Sequence, residues 1–171
     1  MSIISKFTIA TEEGLRTLFQ LREAQIRALY TSVLDEESLN TYLAQQLDHK
    51  ETILELNDLS TQMLTVYHDD IPAGYVMIKQ VDQPVLLADK KVINLASLYL
   101  LPTYDQNEVR QSLWTKIVSL TRQYDAIWLE VTSQDPIIPH LIAWGFEKQE
   151  EKTTGPFGQA SSLFIRWKEE V

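Results

Sequence analysis

The sequence predicts an α/β fold in which helices pack against a mixed central sheet. Residues 92–101 and 126–131 are almost entirely apolar, as expected of strands buried on both faces. Segments with helical spacing of apolar residues precede and separate these two strands. The predicted order β–α–α–β–β–β–α–β–α–β–β gives about six to seven strands flanked by about four helices.

The N-terminal elements follow from capping residues and periodicity. Residues 7–10 form a short strand candidate, and Thr11 followed by two glutamates is typical of a helix start. Apolar residues then recur at helical spacing through Tyr30, and Asp35 begins a second predicted helix. Residues 53–59 are compatible with either a helix or a loop.

A hairpin is predicted next. Residues 62–68 and 75–80 have strand character, and residues 69–74 between them are rich in turn-forming Asp, Pro and Gly. Residues 82–91 form a predicted loop before the first central strand.

The C-terminal half alternates strands and helices. After the 92–101 strand, residues 105–123 place Val109, Leu113 and Ile117 on one helical face. The 126–131 strand precedes a short helix with Pro136 near its start and Gly145 as its C-terminal cap. Residues 146–153 and 161–168 form the last two predicted strands.

Length and charge limit the classes of function. The 171 residues predict a single domain over 1–171, and the lack of cysteine excludes thiolate nucleophiles and disulfides. A net charge of −9 disfavours nucleic acid and anionic membranes as partners and suits an amine. The N-terminus lacks a signal-peptide pattern, so a cytoplasmic location is expected. The sequence leaves a homodimer open, and no metal site is predicted.

The junction between the 92–101 strand and the following helix is the strongest candidate site. Backbone amides at such strand–turn–helix junctions commonly bind anions. Here the turn contains no glycine, and Asp105 and Glu108 have the spacing of a capping box. The predicted cap fills the anion site with the protein's own carboxylates, which would repel a phosphate by about 1–4 kcal/mol per close pair.

Two motifs in this order resemble the GNAT superfamily of N-acetyltransferases. One is the Leu-Tyr-Leu-Leu-Pro-Thr-Tyr sequence at 98–104, leading into a helix. The other is Leu-Glu-Val at 129–131, followed by a short helix and Trp-Gly-Phe at 144–146. The resemblance implies acetyl-CoA as cofactor, and a small-molecule or protein amine as the acetyl acceptor. It also implies a bulge in the 92–101 strand.

The resemblance assigns cofactor contacts to two segments. The backbone of the strand would pair with the pantetheine arm, and the turn and first helical residues would surround the pyrophosphate. In this sequence the expected cofactor-binding residues are Leu98, Tyr99, Leu100, Asp105, Gln106, Asn107, Glu108, Val109 and Arg110.

The sequence departs from the superfamily pattern at three functional positions. Glu108 and Arg110 replace the two glycines of the turn, and Leu141 stands where a proton-donating tyrosine is usual. Asn94 stands where the strand often carries an acid. Proton transfer would then involve water or one of two candidate catalytic residues, Glu130 and His140. The expected activity is weak or impaired N-acetyl transfer, and the alternative is a catalytically inactive module that binds a small ligand or protein.

Each candidate side chain also has a structural interpretation. Arg110 is expected to pair with nearby acids rather than with a phosphate. His140 is expected to be a partly exposed helical histidine. Glu130 is expected near the sheet interior as a carboxylate hydrogen-bonded to a neighbour.

Overall fold

The computed structural model describes residues 1–153 and 155–168 and shows an α/β fold. The predicted domain 1–171 therefore includes four residues outside the described part of the chain. The elements in chain order are β1 (Ile3–Thr8), α1 (Glu12–Tyr30), α2 (Glu36–Gln46), α3 (His49–Asn57), β2 (Thr61–His68), β3 (Ile71–Lys79), β4 (Val92–Leu100), α4 (Asn107–Leu120), β5 (Ala126–Thr132), α5 (Ile138–Ala143), β6 (Glu147–Lys152) and β7 (Ser161–Trp167).

The seven strands form one mixed sheet in the order β1-β2-β3-β4-β5-β7-β6. The pairing is antiparallel throughout except between β4 and β5, which run parallel. The edge strands are β1 and β6. The predicted mixed sheet is confirmed. The described residues form five α-helices rather than about four, because the segment 53–59, predicted as either helix or loop, lies largely in α3.

Helices cover both faces of the sheet. On one face α4 and α5 pack onto a large apolar cluster that includes Leu113, Ile117 and Leu141, each fully buried. On the other face α1 places Leu18 and Leu21 against Met63 and Tyr75. This two-sided cover explains why the central strands are nearly continuous apolar sequences.

The parallel contact between β4 and β5 is short. Register extends only over Val92–Ala126, Ile93–Ile127 and Asn94–Trp128. The buried side chain of Asn94 reinforces the last pair, since its Nδ2 donates to the backbone oxygen of Trp128 at 3.0 Å. Beyond this point the two strands separate and a cleft opens between their carboxyl ends.

Capping explains the helix starts. Thr11 Oγ1 accepts a hydrogen bond from Gly14 N at 3.0 Å, and Asp35 Oδ1 accepts one from Ser38 N at 2.7 Å. Both caps were predicted, and each satisfies an amide that the helix itself leaves unpaired. Gly145, the predicted cap of α5, has a left-handed φ of 94°.

Some predicted boundaries are wrong. The first strand is Ile3–Thr8, so the predicted strand 7–10 begins four residues too late and overlaps it only at Phe7 and Thr8. The hairpin turn is confined to Asp69 and Asp70, both with positive φ, so β3 begins at Ile71 and contains Pro72. Helix α4 begins at Asn107 and ends at Leu120, inside the predicted 105–123.

No helix among the described residues is long and apolar enough to cross a membrane.

Gly74 gives the first testable prediction. It lies opposite Leu100, where a Cβ would come within 2.5 Å of the Tyr99 backbone oxygen and 2.6 Å of Leu100 Cδ2. We expect Gly74→Ala to lower the free energy of unfolding by about 1–3 kcal/mol, because the backbone of β4 must shift. Urea unfolding measures this change. A stabilisation of about 0.4–1 kcal/mol, the usual gain where alanine fits, would contradict it.

Candidate functional site

The cleft between β4 and β5 is the candidate site. The carboxyl ends of adjacent parallel strands are where α/β proteins commonly bind ligands. Strand β4 ends here in Leu98, Tyr99 and Leu100, and β5 ends in Val131 and Thr132.

A bulge in β4 marks the start of the open segment. The register with β3 shifts between Met77 and Ile78, so Ala96 has no partner across the pair. The bulge implied by the family resemblance is therefore present.

Strand β4 presents backbone polar groups to the cleft. Leu101 N donates to Ala73 O at 2.8 Å, so this pair is hydrogen-bonded to β3. In an antiparallel ladder the bonded pairs alternate, so Leu98 and Leu100 direct their N–H and C=O groups to the other edge. Among the described residues no strand pairs with that edge beyond Asn94, which leaves these amides facing the cleft.

A cavity of about 370 Å³ lies on the α1 side of the cleft. Helices α1, α2 and α3 contribute one wall, and the separated ends of β4 and β5 contribute the other. A cavity of this size can hold a small organic molecule.

Hydrogen bonds fix the floor of the large cavity. The fully buried Tyr75 bonds through its hydroxyl to Gln25 Oε1 and to Ser97 Oγ, the latter at 2.7 Å. Burial raises the pKa of Tyr75, so its phenol stays protonated. This network holds the residue after the bulge in place.

Ion pairs fix the outer wall of the large cavity. Arg22 Nη2 lies 3.4 Å from Glu55 Oε1, and Lys79 bonds to the other oxygen of the same carboxylate. One carboxylate therefore pairs with two cations, so the cluster keeps a net positive charge, and Arg22 lines the cavity.

A second, narrower cavity of about 100 Å³ lies on the α5 side of the cleft. Residues 98–100 of β4 form one side, and Asp135, Ile137 and His140 form the other. Leu98 and Asp135 line both cavities, so they mark the place where the two meet.

Asp105 bridges the narrow cavity. Its Oδ1 accepts a hydrogen bond from Arg110 Nη1 at 2.6 Å, and its Oδ2 lies 2.9 Å from His140 Nε2. A carboxylate only accepts, so His140 Nε2 carries the hydrogen. The bridge joins the turn after β4 to the helix after β5, across the mouth of the cleft.

These contacts overturn the predicted capping box. The N-cap residue of α4 is Gln106, and no side chain caps the helix. Asp105 instead bonds to a residue 35 positions away in the chain. The expectation that Arg110 pairs with a neighbouring acid is confirmed.

Several predicted cofactor residues occupy different environments. Val109 is fully buried in the core, so its side chain is closed to a ligand, while Gln106, Asn107 and Glu108 are exposed at the start of α4. The Tyr99 side chain lies in the apolar cluster beneath α1.

The two predicted catalytic residues lie apart. Glu130 is exposed, which corrects the expectation of an acid near the sheet interior, although it does line the large cavity. The side chain of His140 is 21% exposed and points to Asp105, as expected of a partly exposed helical histidine. Its neighbour Leu141 is fully buried, which leaves no phenol at the position expected for a tyrosine.

Asp135 belongs to the site but was not among the predicted site residues. It follows the central strand β5 and directly precedes Pro136, near the predicted start of the short helix. Its position just beyond the carboxyl end of a parallel strand was the available signal.

No group of three or more His, Cys, Asp or Glu side chains among residues 1–153 and 155–168 is arranged to hold a metal ion.

Comparison with known proteins identifies the fold. No protein-family model matches the sequence. The structure is similar to the PaiA N-acetyltransferase of Thermoplasma acidophilum in complex with coenzyme A, at 16% identity and a TM-score of 0.77, over 98% of this chain and 100% of that one. It is also similar to YncA, a putative acetyltransferase of Salmonella typhimurium with acetyl-CoA, at 14% identity and a TM-score of 0.66, over 100% and 96% of the chains.

A probable acetyltransferase of Staphylococcus epidermidis matches at 10% identity and a TM-score of 0.71, over 98% of this chain and 100% of that one. The chain therefore has the fold of the GNAT superfamily of N-acetyltransferases.

The second prediction concerns the bridge. Partial burial by itself would raise the pKa of Asp105, but the hydrogen bonds from Arg110 and His140 outweigh burial and lower the pKa below its usual 3.8. A lowered folded-state pKa means that the carboxylate stabilises the fold above about pH 4 and that this contribution is lost as the pH falls through the lower value.

We therefore expect Asp105→Asn to lower the free energy of unfolding by about 0.5–1 kcal/mol near neutral pH, as for partly exposed ion pairs. The difference from the unaltered protein should shrink as the pH falls below about 4 and the carboxylate becomes protonated. Urea unfolding across this pH range measures it. A difference that grows as the pH falls would contradict the assignment.

Proposed function

We propose that this protein is an acetyl-CoA-dependent N-acetyltransferase that acts on an amine and binds its cofactor weakly. The observation that carries the proposal is the cleft itself. Two parallel strands separate beside a bulge, and cavities open on both sides of the gap. The N–H groups of Leu98 and Leu100 face this gap, where no strand of the described residues pairs with them.

The narrow cavity is the expected path of the pantetheine arm. The outward N–H groups of Leu98 and Leu100 and the C=O of Leu100 can pair with its amides as a further strand would. The C=O of Leu98 already accepts a hydrogen bond from Gln25 Nε2 at 3.5 Å. An amide of the same segment would polarise the thioester carbonyl and stabilise the oxyanion that forms on attack. The acceptor amine would approach from the large cavity, since the two meet at Leu98.

The start of α4 is the expected contact for the pyrophosphate. No side chain caps this helix, so its first amides are available to an anion. Two features oppose binding there. Glu108 and Asp105 place negative charge beside the phosphates, and no glycine lets the backbone approach them closely. Arg110, a cation near the start of α4, is already paired with Asp105.

The leaving thiolate must take its proton from a group other than the tyrosine that the family resemblance implies at the position of Leu141. Leu141 occupies that position and is buried in the core. Of the two predicted catalytic residues, His140 lines the narrow cavity and Glu130 lines the large one. A water molecule beside either side chain would deliver the proton to the thiolate.

A second candidate function is a non-catalytic module with the same fold. The bridge between Asp105 and His140 favours it, because this contact spans a cavity of only about 100 Å³, well below the size of most cofactor sites. Such a module would bind a small ligand or a protein partner without transferring an acetyl group.

Thermal unfolding with millimolar acetyl-CoA separates these functions. For weak cofactor binding we expect the melting temperature to rise by about 1–4 °C, and ATP at the same concentration should not reproduce the rise. Release of free CoA thiol on addition of putrescine, tyramine, glucosamine or a tripeptide with a free amino terminus tests transfer. An unchanged melting temperature together with no thiol release would leave the non-catalytic module.

The third prediction removes the opposing charges. We expect Asp105→Asn combined with Glu108→Gln to tighten acetyl-CoA binding by about tenfold or more, because one close like-charge contact costs about 1–4 kcal/mol. Isothermal titration calorimetry measures the dissociation constant.

The control is Glu12→Gln combined with Glu13→Gln, which makes the same charge change in the first turn of α1. Equal tightening in both double variants would assign the effect to overall charge rather than to the start of α4. Weaker binding in the Asp105 and Glu108 variant would contradict the assignment of the pyrophosphate contact.

A further inference from the structure

Asp135 lies where the two cavities meet. It follows β5 and precedes α5, and it lines both the large cavity on the α1 side and the narrow cavity on the α5 side. Leu98 of β4, whose amide faces the cleft, shares this property. A group at this place lies next to both the thioester and the amine in the proposed reaction.

The carboxylate of Asp135 is held at one oxygen. Its Oδ1 accepts a hydrogen bond from Ile137 N at 2.9 Å, which fixes the side chain at the start of α5. Within residues 1–153 and 155–168, no hydrogen-bond donor contacts Oδ2. Burial raises the pKa of this carboxyl above its usual 3.8, and the bond from Ile137 opposes the rise.

We propose that Asp135 accepts the proton that the acceptor ammonium must lose before it attacks the thioester. The inference rests on the proposed acetyl transfer and adds the group that activates the amine. The ligand of the large cavity is then a small primary amine, bound as its ammonium with one N–H directed to Asp135 Oδ2.

The ammonium gives one proton to the Asp135 carboxylate, and the neutral nitrogen forms a bond to the acetyl carbon. The C–S bond then breaks, and the thiolate takes the second proton that the nitrogen loses, through water. Asp135 returns its proton to solvent, so the net products are an amide, free CoA thiol and one proton.

The other titratable groups of the cavities are less suited to this role. Burial raises the pKa of Tyr30 to about 12 and raises those of Tyr42 and Tyr99 as well, so these phenols stay neutral. The charged or ionisable groups that complete the lining are Arg22 with Glu55, Asp105 with His140, and the exposed Glu130. Of these acids, Glu55 and Asp105 are engaged in ion pairs.

The test compares Asp135→Asn with the unaltered protein. Asparagine keeps the shape and the bond from Ile137 N but cannot take a proton. The substrate is whichever of putrescine, tyramine, glucosamine or the tripeptide the unaltered protein acetylates fastest. With this amine we expect kcat/KM near pH 7 to fall by about 100-fold or more. The loss should shrink at higher pH, where more amine is already neutral, and the melting shift with acetyl-CoA should not change.

The control is Asp48→Asn, since Asp48 also accepts a bond from a backbone N–H at a helix start, that of Glu51 at 2.9 Å. It lies at the start of α3, outside both cavities, and its kcat/KM should equal that of the unaltered protein. An Asp135→Glu variant should recover part of the activity and of the pH profile, which a purely structural role would not restore.

The outcomes separate the two proposals. Acetyl transfer that persists in Asp135→Asn with an unchanged pH profile overturns the role of Asp135 and leaves the proposed function intact. No transfer and no acetyl-CoA shift in the unaltered protein overturns both.

If Asp135→Asn does not fold, carboxyl NMR of the unaltered protein decides, with Asp135→Glu used for assignment. The pKa of Asp135 should fall when the amine binds, because an ammonium beside a carboxylate favours its charged form. An unchanged pKa on amine saturation would overturn the role.

Discussion

The short parallel contact between β4 and β5 is the constraint on which the rest of the structure depends. Three residue pairs hold the two halves of the sheet together, and Asn94 adds a side-chain bond at the last of them. If the pairing continued, the amides of Leu98 and Leu100 would be consumed by the sheet and no cleft would exist. The buried asparagine thus has a structural role in this sheet. Its amide can both fill the site and satisfy a backbone carbonyl, which a carboxylate cannot do.

Across the mouth of this cleft, one carboxylate connects the two halves a second time. Asp105, in the turn before α4, pairs with Arg110 of α4 and with His140 of α5, and the first amides of α4 have no side-chain cap. An arriving phosphate would therefore meet open amides and unfavourable charge in the same place. The open amides attract a phosphate and the carboxylates repel it, each by about one to a few kcal/mol. Whether the cleft binds a cofactor depends on the difference between these two free energies.

Local sequence signals predicted most of the fold but only part of the site. The caps of Thr11 and Asp35 and the apolar central strands depend on neighbours in the chain, so they could be predicted. The prediction of a capping box was wrong because Asp105 bonds to His140 instead of to a nearby backbone amide. The distance from Asp105 to His140 is set by the tertiary structure, which local sequence does not show. Asp135 was missed for the same reason, since its burial and its two cavities arise only when β4 and β5 are placed side by side.

The edge strand β6 presents a row of charged side chains. Strand β6 forms one edge, and five of its six residues, Glu147–Lys152, are charged. A further strand added there would have to bring its own side chains against this row of charges of both signs and desolvate it. Charged edges of this kind oppose edge-to-edge association of sheets. The composition of β6 therefore protects this edge of the sheet against fibre-like growth.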